Sequence, residues 1–171
     1  MLRGYPGMTD HDQHKHDRVW DIIEKVGVCM LTTRFGGGLR ARPLEARPER
    51  EAGVIWFVTD ARSDKEHEIE AAHDVCLVFV DHAAKAYLSI TARAEVQDDH
   101  TQAAAIWKAT DNAWWEGPDD PNVCVLRVKP ITAELWDGPA SKAVAIYEFA
   151  KASLTGEEPN LGENRKVTVR M

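Results

Sequence analysis

No stretch of this sequence approaches the roughly 20 consecutive apolar residues that a bilayer-spanning helix needs. The first residues lack a basic start followed by an apolar core, so no signal peptide is read there, and the cytoplasm is the expected setting. Cysteine is scarce. Cys29, Cys76 and Cys124 lie far apart, each in an apolar, strand-like run. They form no C-x-x-C pair, which removes that type of metal or redox motif and predicts buried, reduced thiols. Positive charge is also short: 21 Lys and Arg stand against 28 Asp and Glu, a formal net charge of −7. That deficit argues against nucleic acid, which rewards clustered Lys and Arg, and against an anionic membrane surface. There is no internal repeat, no nucleophile–histidine–acid pattern and no metal-ligand cluster.

What is present suits one domain with a sizeable core: 171 residues, 44% hydrophobic and 29% charged. Residues 1–16 are polar and unpatterned, and read as a flexible tail; His11, His14 and His16 belong to it. Residues 17–171 form the domain. Val19, Trp20, Ile22, Ile23 and Val26 recur at helical spacing, and Gly27 stops that helix. Val28–Thr33 and Leu39–Ala46 read as strands joined by a glycine-rich hairpin turn. Pro43 inside the second implies an edge, a bulge or a close ligand approach. Alternation puts Arg40 and Arg42 on one face, so a guanidinium there is aimed either at water or at an anion. Val75–Val80 is apolar throughout and reads as buried on both sides. Ala86–Gln97 alternates cleanly between an apolar face and a small, hydroxylated one. Asp98–Lys108 reads as a helix capped by Asp99 with Gln102, Val123–Trp136 as a strand interrupted by Pro130, and Ser141–Leu154 as a helix. Six strands with short turns and outlying helices do not resemble βαβ units. They suggest a small closed antiparallel barrel with peripheral helices.

The stretch Val54–Glu70 organises the rest. Val54–Thr59 is a dense β-branched and aromatic strand. The chain turns at Asp60-Ala61-Arg62, and Ser63 with Glu66 fits a capping box at the start of a helix. Thr59, Ser63 and Lys65 therefore surround a strand-to-helix corner where two hydroxyls, an ammonium and the free N–H groups of a helix start converge. Such a corner favours an anion, and a phosphate above all.

These residues carry a resemblance. Trp56-Phe57-Val58-Thr59-Asp60-Ala61-Arg62-Ser63-Asp64-Lys65, with Arg42-Pro43-Leu44 before it and Tyr87-Leu88-Ser89-Ile90 after it, resembles the pyridoxamine 5′-phosphate oxidase-like flavoproteins. Val125–Pro130, Glu134–Asp137 and Gly162–Val167 look like the bacterial general stress protein branch. The resemblance spans residues 14–171 and rests on the order and spacing of the motifs together. It implies a split β-barrel that is a homodimer, with FMN at the interface. By position, Arg42 matches an arginine that reaches the FMN phosphate, with Pro43 beside it. Thr59, Ser63 and Lys65 match the grip on phosphate and ribityl chain. Trp56, Phe57 and Val58 match the strand whose backbone runs beside the ring. Tyr87 and Ser89 match further flavin contacts, and Trp136 an aromatic from the partner subunit. One departure stands out: Asp64 takes the place of an arginine, which argues against true pyridoxamine-phosphate oxidation. The resemblance implies a flavin-dependent oxidoreductase with a small-molecule substrate or donor. A flavin store or stress sensor without turnover, or a barrel holding a related cofactor or haem, are the other readings.

Overall fold

The computed structural model describes residues 10–137, 142–156 and 167–171. Helix α1 spans Asp10–Val26, so it starts well ahead of the expected Asp17. Side chains hold its first turns. Gln13 Nε2 donates to Asp17 Oδ1 at 3.0 Å, and His16 is buried against Trp20. Arg50 donates to Asp17 at 2.7 Å and to Asp21 at 3.0 Å, tying the helix to the turn before the next strand. Residues 10–16, expected to be flexible tail, are therefore part of this helix. Val19, Trp20, Ile22 and Ile23 are fully buried, each worth about 1.5–3 kcal/mol of apolar transfer. Gly27, at φ +71°, ends the helix as expected.

The strands are β1 (Val28–Phe35), β2 (Gly38–Glu45), β3 (Arg47–Glu49), β4 (Val54–Asp60), β5 (Asp74–Asp81), β6 (Ala86–Gln97), β7 (Val123–Trp136) and β8 (Val167–Arg170). Helix α2 (Asp64–Ala71) follows β4, α3 (His100–Ile106) follows β6, and α4 (Lys142–Thr155) follows β7. All pairings are antiparallel, in the order β2-β1-β5-β6-β7-β4-β3, with β8 added to β7. The six expected strands are all present. The two additions are short, and each depends on a longer neighbour, β3 on β4 and β8 on β7.

The barrel is not closed. β2 and β4 approach each other without pairing, so the sheet is split between them. Pro43 lies on β2, which pairs on one side only, where a missing N–H costs no ladder bond. Pro130 faces Ala92 where the β6–β7 register shifts, a bulge that bends both strands. The interior is filled by Leu31, Phe57, Leu77, Phe79, Leu88, Ile90, Leu126 and their neighbours, with α1 packed over it. A second, smaller cluster puts Trp56, Val54 and Val125 under α3 and the Trp107–Trp115 pair. β5 alternates rather than being buried on both faces: Val75, Leu77 and Phe79 point in, while Cys76, Val78 and Val80 are half-buried on the outer face. No helix among the described residues is long and apolar enough to cross a membrane.

Candidate functional site

The corner between β4 and α2 follows from strand alternation and from the poverty of α2 in apolar residues. Alternation along β4 sends Phe57 and Thr59 inward, and Thr59 faces Cys124 of β7. The chain then turns: Asp60 accepts from the Arg62 backbone at 2.8 Å and from the Arg62 guanidinium at 2.9 Å. That guanidinium holds the Asp60 carboxyl down at about 2. Helix α2 has one large apolar side chain, Ile69, so its inner face is completed by charged residues; Lys65, Glu66 and Glu68 are all buried.

Ser63 is the N-cap, but the capping box does not form, because its side chain makes no bond to the helix backbone. The hydroxyl donates instead to the Glu66 carboxylate. Thr59 Oγ1 donates to Glu66 Oε1 at 3.2 Å, and Lys65 Nζ donates to Ser63 Oγ at 2.5 Å while lying 3.5 Å from Glu66 Oε1. Thr59, Ser63 and Lys65 thus converge as expected around a carboxylate, Thr59 and Lys65 buried and Ser63 half-buried. Donors that already surround two acidic oxygens suit a phosphate, so the set fits the phosphate group that the sequence points to.

Arg42 reaches the same helix from across the split. It donates to Glu68 Oε2 at 2.9 Å and to Thr33 Oγ1 at 3.1 Å. Arg40 donates to Glu68 Oε1 at 3.1 Å and to Asp64 Oδ2 at 3.3 Å, with its guanidinium 3.6 Å from the centre of the Phe35 ring. Glu68 is therefore the carboxylate that Arg40 and Arg42 share, and it also accepts from Thr33. Burial opposes ionisation of Glu68, but the bonds from Thr33 and Arg42 and the charges of Arg42 and Arg40 outweigh it and hold its carboxyl below the usual range. Asp64 is turned outward to Arg40, 80% exposed, and does not enter the corner. Arg40, Arg42 and Lys65 are matched by Asp64, Glu66 and Glu68, so the corner is balanced in charge rather than a positive pocket. Glu66 and Glu68 escaped the sequence reading as inward groups. The available signal was a helix with too few apolar residues to cover its own inner face.

The remaining expected residues fall into two groups. Pro43 lies on β2 at the split. Across from it, β3 accompanies β4 only as far as Trp56, so the outer edge of β4 from Phe57 to Asp60 has no strand beside it among the described residues. From Phe57 to Thr59, β4 is thus paired on its β7 side alone, at the split that faces β2. Their side chains point elsewhere: Phe57 into the main core, Trp56 into the smaller cluster with its indole N–H on Glu49 at 2.8 Å, and Val58 half-buried beside that cluster. Tyr87, Ser89 and Trp136 are not brought to the corner within one chain. They lie on the outer face of the sheet, Tyr87 directly opposite Trp136, and Ser89 3.5 Å from the Cys76 thiol. Burial pushes the Cys29 thiol up to about 12, and burial with the Glu66 charge does the same to Cys124, so neither is a nucleophile at neutral pH. No group of His, Cys, Asp and Glu among the described residues could hold a metal ion. Gly162–Lys166 of the expected motif lie outside the described residues.

An antiparallel barrel left open between β2 and β4, with helices around it, is the split-barrel class. The chain belongs to the pyridoxamine 5′-phosphate oxidase-like family, whose sequence pattern matches residues 14–160. It is 23% identical to general stress protein 26 of Bacillus subtilis, over 80% of this chain and 98% of that one. A solved structure from Jannaschia sp. CCS1, named as a general stress protein 26, superposes with a TM-score of 0.74 at 28% identity, covering 92% of this chain and 99% of that one. A general stress FMN/FAD binding protein from Xanthomonas citri superposes with a TM-score of 0.68 at 23% identity, over 75% of this chain and 92% of that one.

Proposed function

We propose that this protein binds FMN in a shared site of a homodimer and acts as a flavin-dependent oxidoreductase. One observation carries the reading: the donors Thr59, Ser63 and Lys65 meet beside a β4 edge that no strand pairs beyond Trp56, with β2, which carries Arg42 and Pro43, across the split. Phosphate would take the corner, held by those donors and by Arg42. The ring would lie along Phe57–Thr59, where the backbone groups on the side away from β7 have no strand partner and can reach its heteroatoms. The structural neighbour from Xanthomonas citri, named for FMN/FAD binding, supports a flavin in this fold.

Two features support a dimer. The outer face of β1, β5 and β6 carries Met30, 42% exposed, and Tyr87, 47% exposed, with Val78 and Val80 half-buried between them. A sheet face that apolar is suited to cover by a second copy. Trp136 also lies at the far end of β7 from Cys124, which faces Thr59; at about 3.3 Å per residue the separation is up to about 40 Å of strand. This placement supports contact of Trp136 and Tyr87 with the flavin of a partner subunit rather than with one at their own chain's corner.

Bound FMN supplies the redox chemistry, accepting hydride from a reduced donor and passing electrons to a small acceptor. The chain grips the phosphate, orients the ring and excludes water. Hydride transfer asks for no protein acid or base. The test is optical. Purified protein should be yellow, or become so with FMN, and anaerobic NAD(P)H should bleach the flavin band. A flavin band that stays unbleached would leave a flavin carrier without nicotinamide-driven turnover. A colourless protein that ignores added FMN would end the flavin reading, and a haem spectrum would replace it.

A further inference from the structure

The corner is already occupied by the chain's own carboxylate. Glu66 is 3% exposed. Its carboxylate accepts from Thr59 and Ser63, lies 3.5 Å from the Lys65 ammonium, and has the Cys124 thiol at 3.9 Å. It bonds to no backbone group among the described residues; apart from Cys124, all its partners are the donors assigned to the phosphate. A carboxylate whose only role in the fold is to satisfy those donors is a chemical surrogate for phosphate.

We propose that Glu66 is a built-in competitor for the flavin phosphate: it takes up the donors that phosphate would use and must leave them when phosphate enters. This rests on the flavin reading above. A phosphate carries close to two negative charges and cannot share two hydroxyls and one ammonium with a buried carboxylate at this spacing. Entry of phosphate therefore expels the Glu66 carboxylate to solvent by side-chain rotation. Its cost lowers affinity for phosphorylated ligands and leaves unphosphorylated ones untouched. Glu66 in this way sets how far the site prefers FMN over riboflavin.

Glu66→Gln keeps the shape and removes the charge. Titrating wild type and E66Q with FMN and with riboflavin should show FMN binding tightened by about tenfold, with riboflavin affinity unchanged within about twofold. Equal tightening of both ligands would overturn the proposal. So would unchanged or weaker FMN binding in E66Q, which would make Glu66 a positioning residue for Ser63 and Thr59 while the flavin reading stands. Failure of both proteins to bind FMN would overturn the flavin reading itself, and this proposal with it. A measurement on wild type covers the case in which E66Q does not fold. Carboxylate labelling with carbodiimide and an amine, read by mass spectrometry, should find Glu66 protected without FMN and modified with it. Glu66 that stays protected in the FMN complex would overturn the displacement.

Discussion

Arg47 and Asp111 form a buried ion pair: the guanidinium donates to the two carboxylate oxygens at 3.0 and 3.3 Å, with both side chains less than a tenth exposed. Arg47 also donates to the Ile106 and Glu45 carbonyls, and Asp111 accepts from the Lys108 backbone at 2.8 Å. One pair thus fastens β3 to the chain that follows α3, and closes the small tryptophan cluster behind β4. Removing one partner leaves the other charged and buried, which costs about 3–5 kcal/mol. Asp111→Ala should lower unfolding stability by that order in urea titration. Replacing both residues with apolar ones should recover much of it. A single variant as stable as wild type would show that the pair is solvated.

Lys65 is the ammonium of the corner, 2.5 Å from the Ser63 hydroxyl. Lys65→Glu should weaken FMN binding by about 1–3 kcal/mol, the cost of one charge-assisted contact. Fluorescence titration measures it. Unchanged affinity would place the phosphate elsewhere.

Val78 sits half-buried on the outer sheet face, with Met30 and Ser89 as its cross-strand neighbours. Val78→Asp should shift the protein to monomer in light scattering, and flavin affinity should fall with it, because the proposed site is shared. A monomer that keeps full affinity would mean that each chain holds its flavin alone.

Glu68 ties the stability of the corner to pH. Its folded carboxyl titrates below the ordinary 4.5, as does Asp60, held at about 2. A carboxyl depressed by folding stabilises the protein above its unfolded value, and that contribution is lost as pH falls through its folded one. Melting temperature should therefore drop as pH falls from about 4.5 toward about 2. Glu68→Gln should flatten that slope, and a slope equal to wild type would assign the acid sensitivity to other groups.

Much of the architecture was legible because alternation is a strong signal where one sheet face is buried. Ala86–Gln97 is observed as a strand over that same range, with Leu88, Ile90, Ala92 and Ala94 buried. Pro43 and Pro130 marked an edge and a bulge because a missing N–H leaves few other places in a sheet. Asp99 caps α3 through the Gln102 N–H at 2.9 Å, as its spacing implied. The strand-to-helix corner was legible too, although its capping box was not what formed. Local spacing cannot show that the Ser63 hydroxyl prefers a buried carboxylate to the helix backbone. Three features depended on distant partners. β8 exists by pairing with β7, the first turns of α1 are held by Arg50 and Trp20, and the split between β2 and β4 is set by where pairing stops. The inward Glu66 and Glu68 were hidden because charge in a short helix ordinarily means a wetted surface.

The margin of β4 from Phe57 to Asp60, which no strand pairs on the side away from β7 among the described residues, has a consequence for handling the protein. Unpaired strand margins recruit other strands, which makes them seeds for aggregation. A flavin seated along this margin, or a second subunit closing over it, would act as a stopper. Preparations stripped of ligand should therefore cloud and precipitate sooner than loaded ones, even where their melting temperatures differ little.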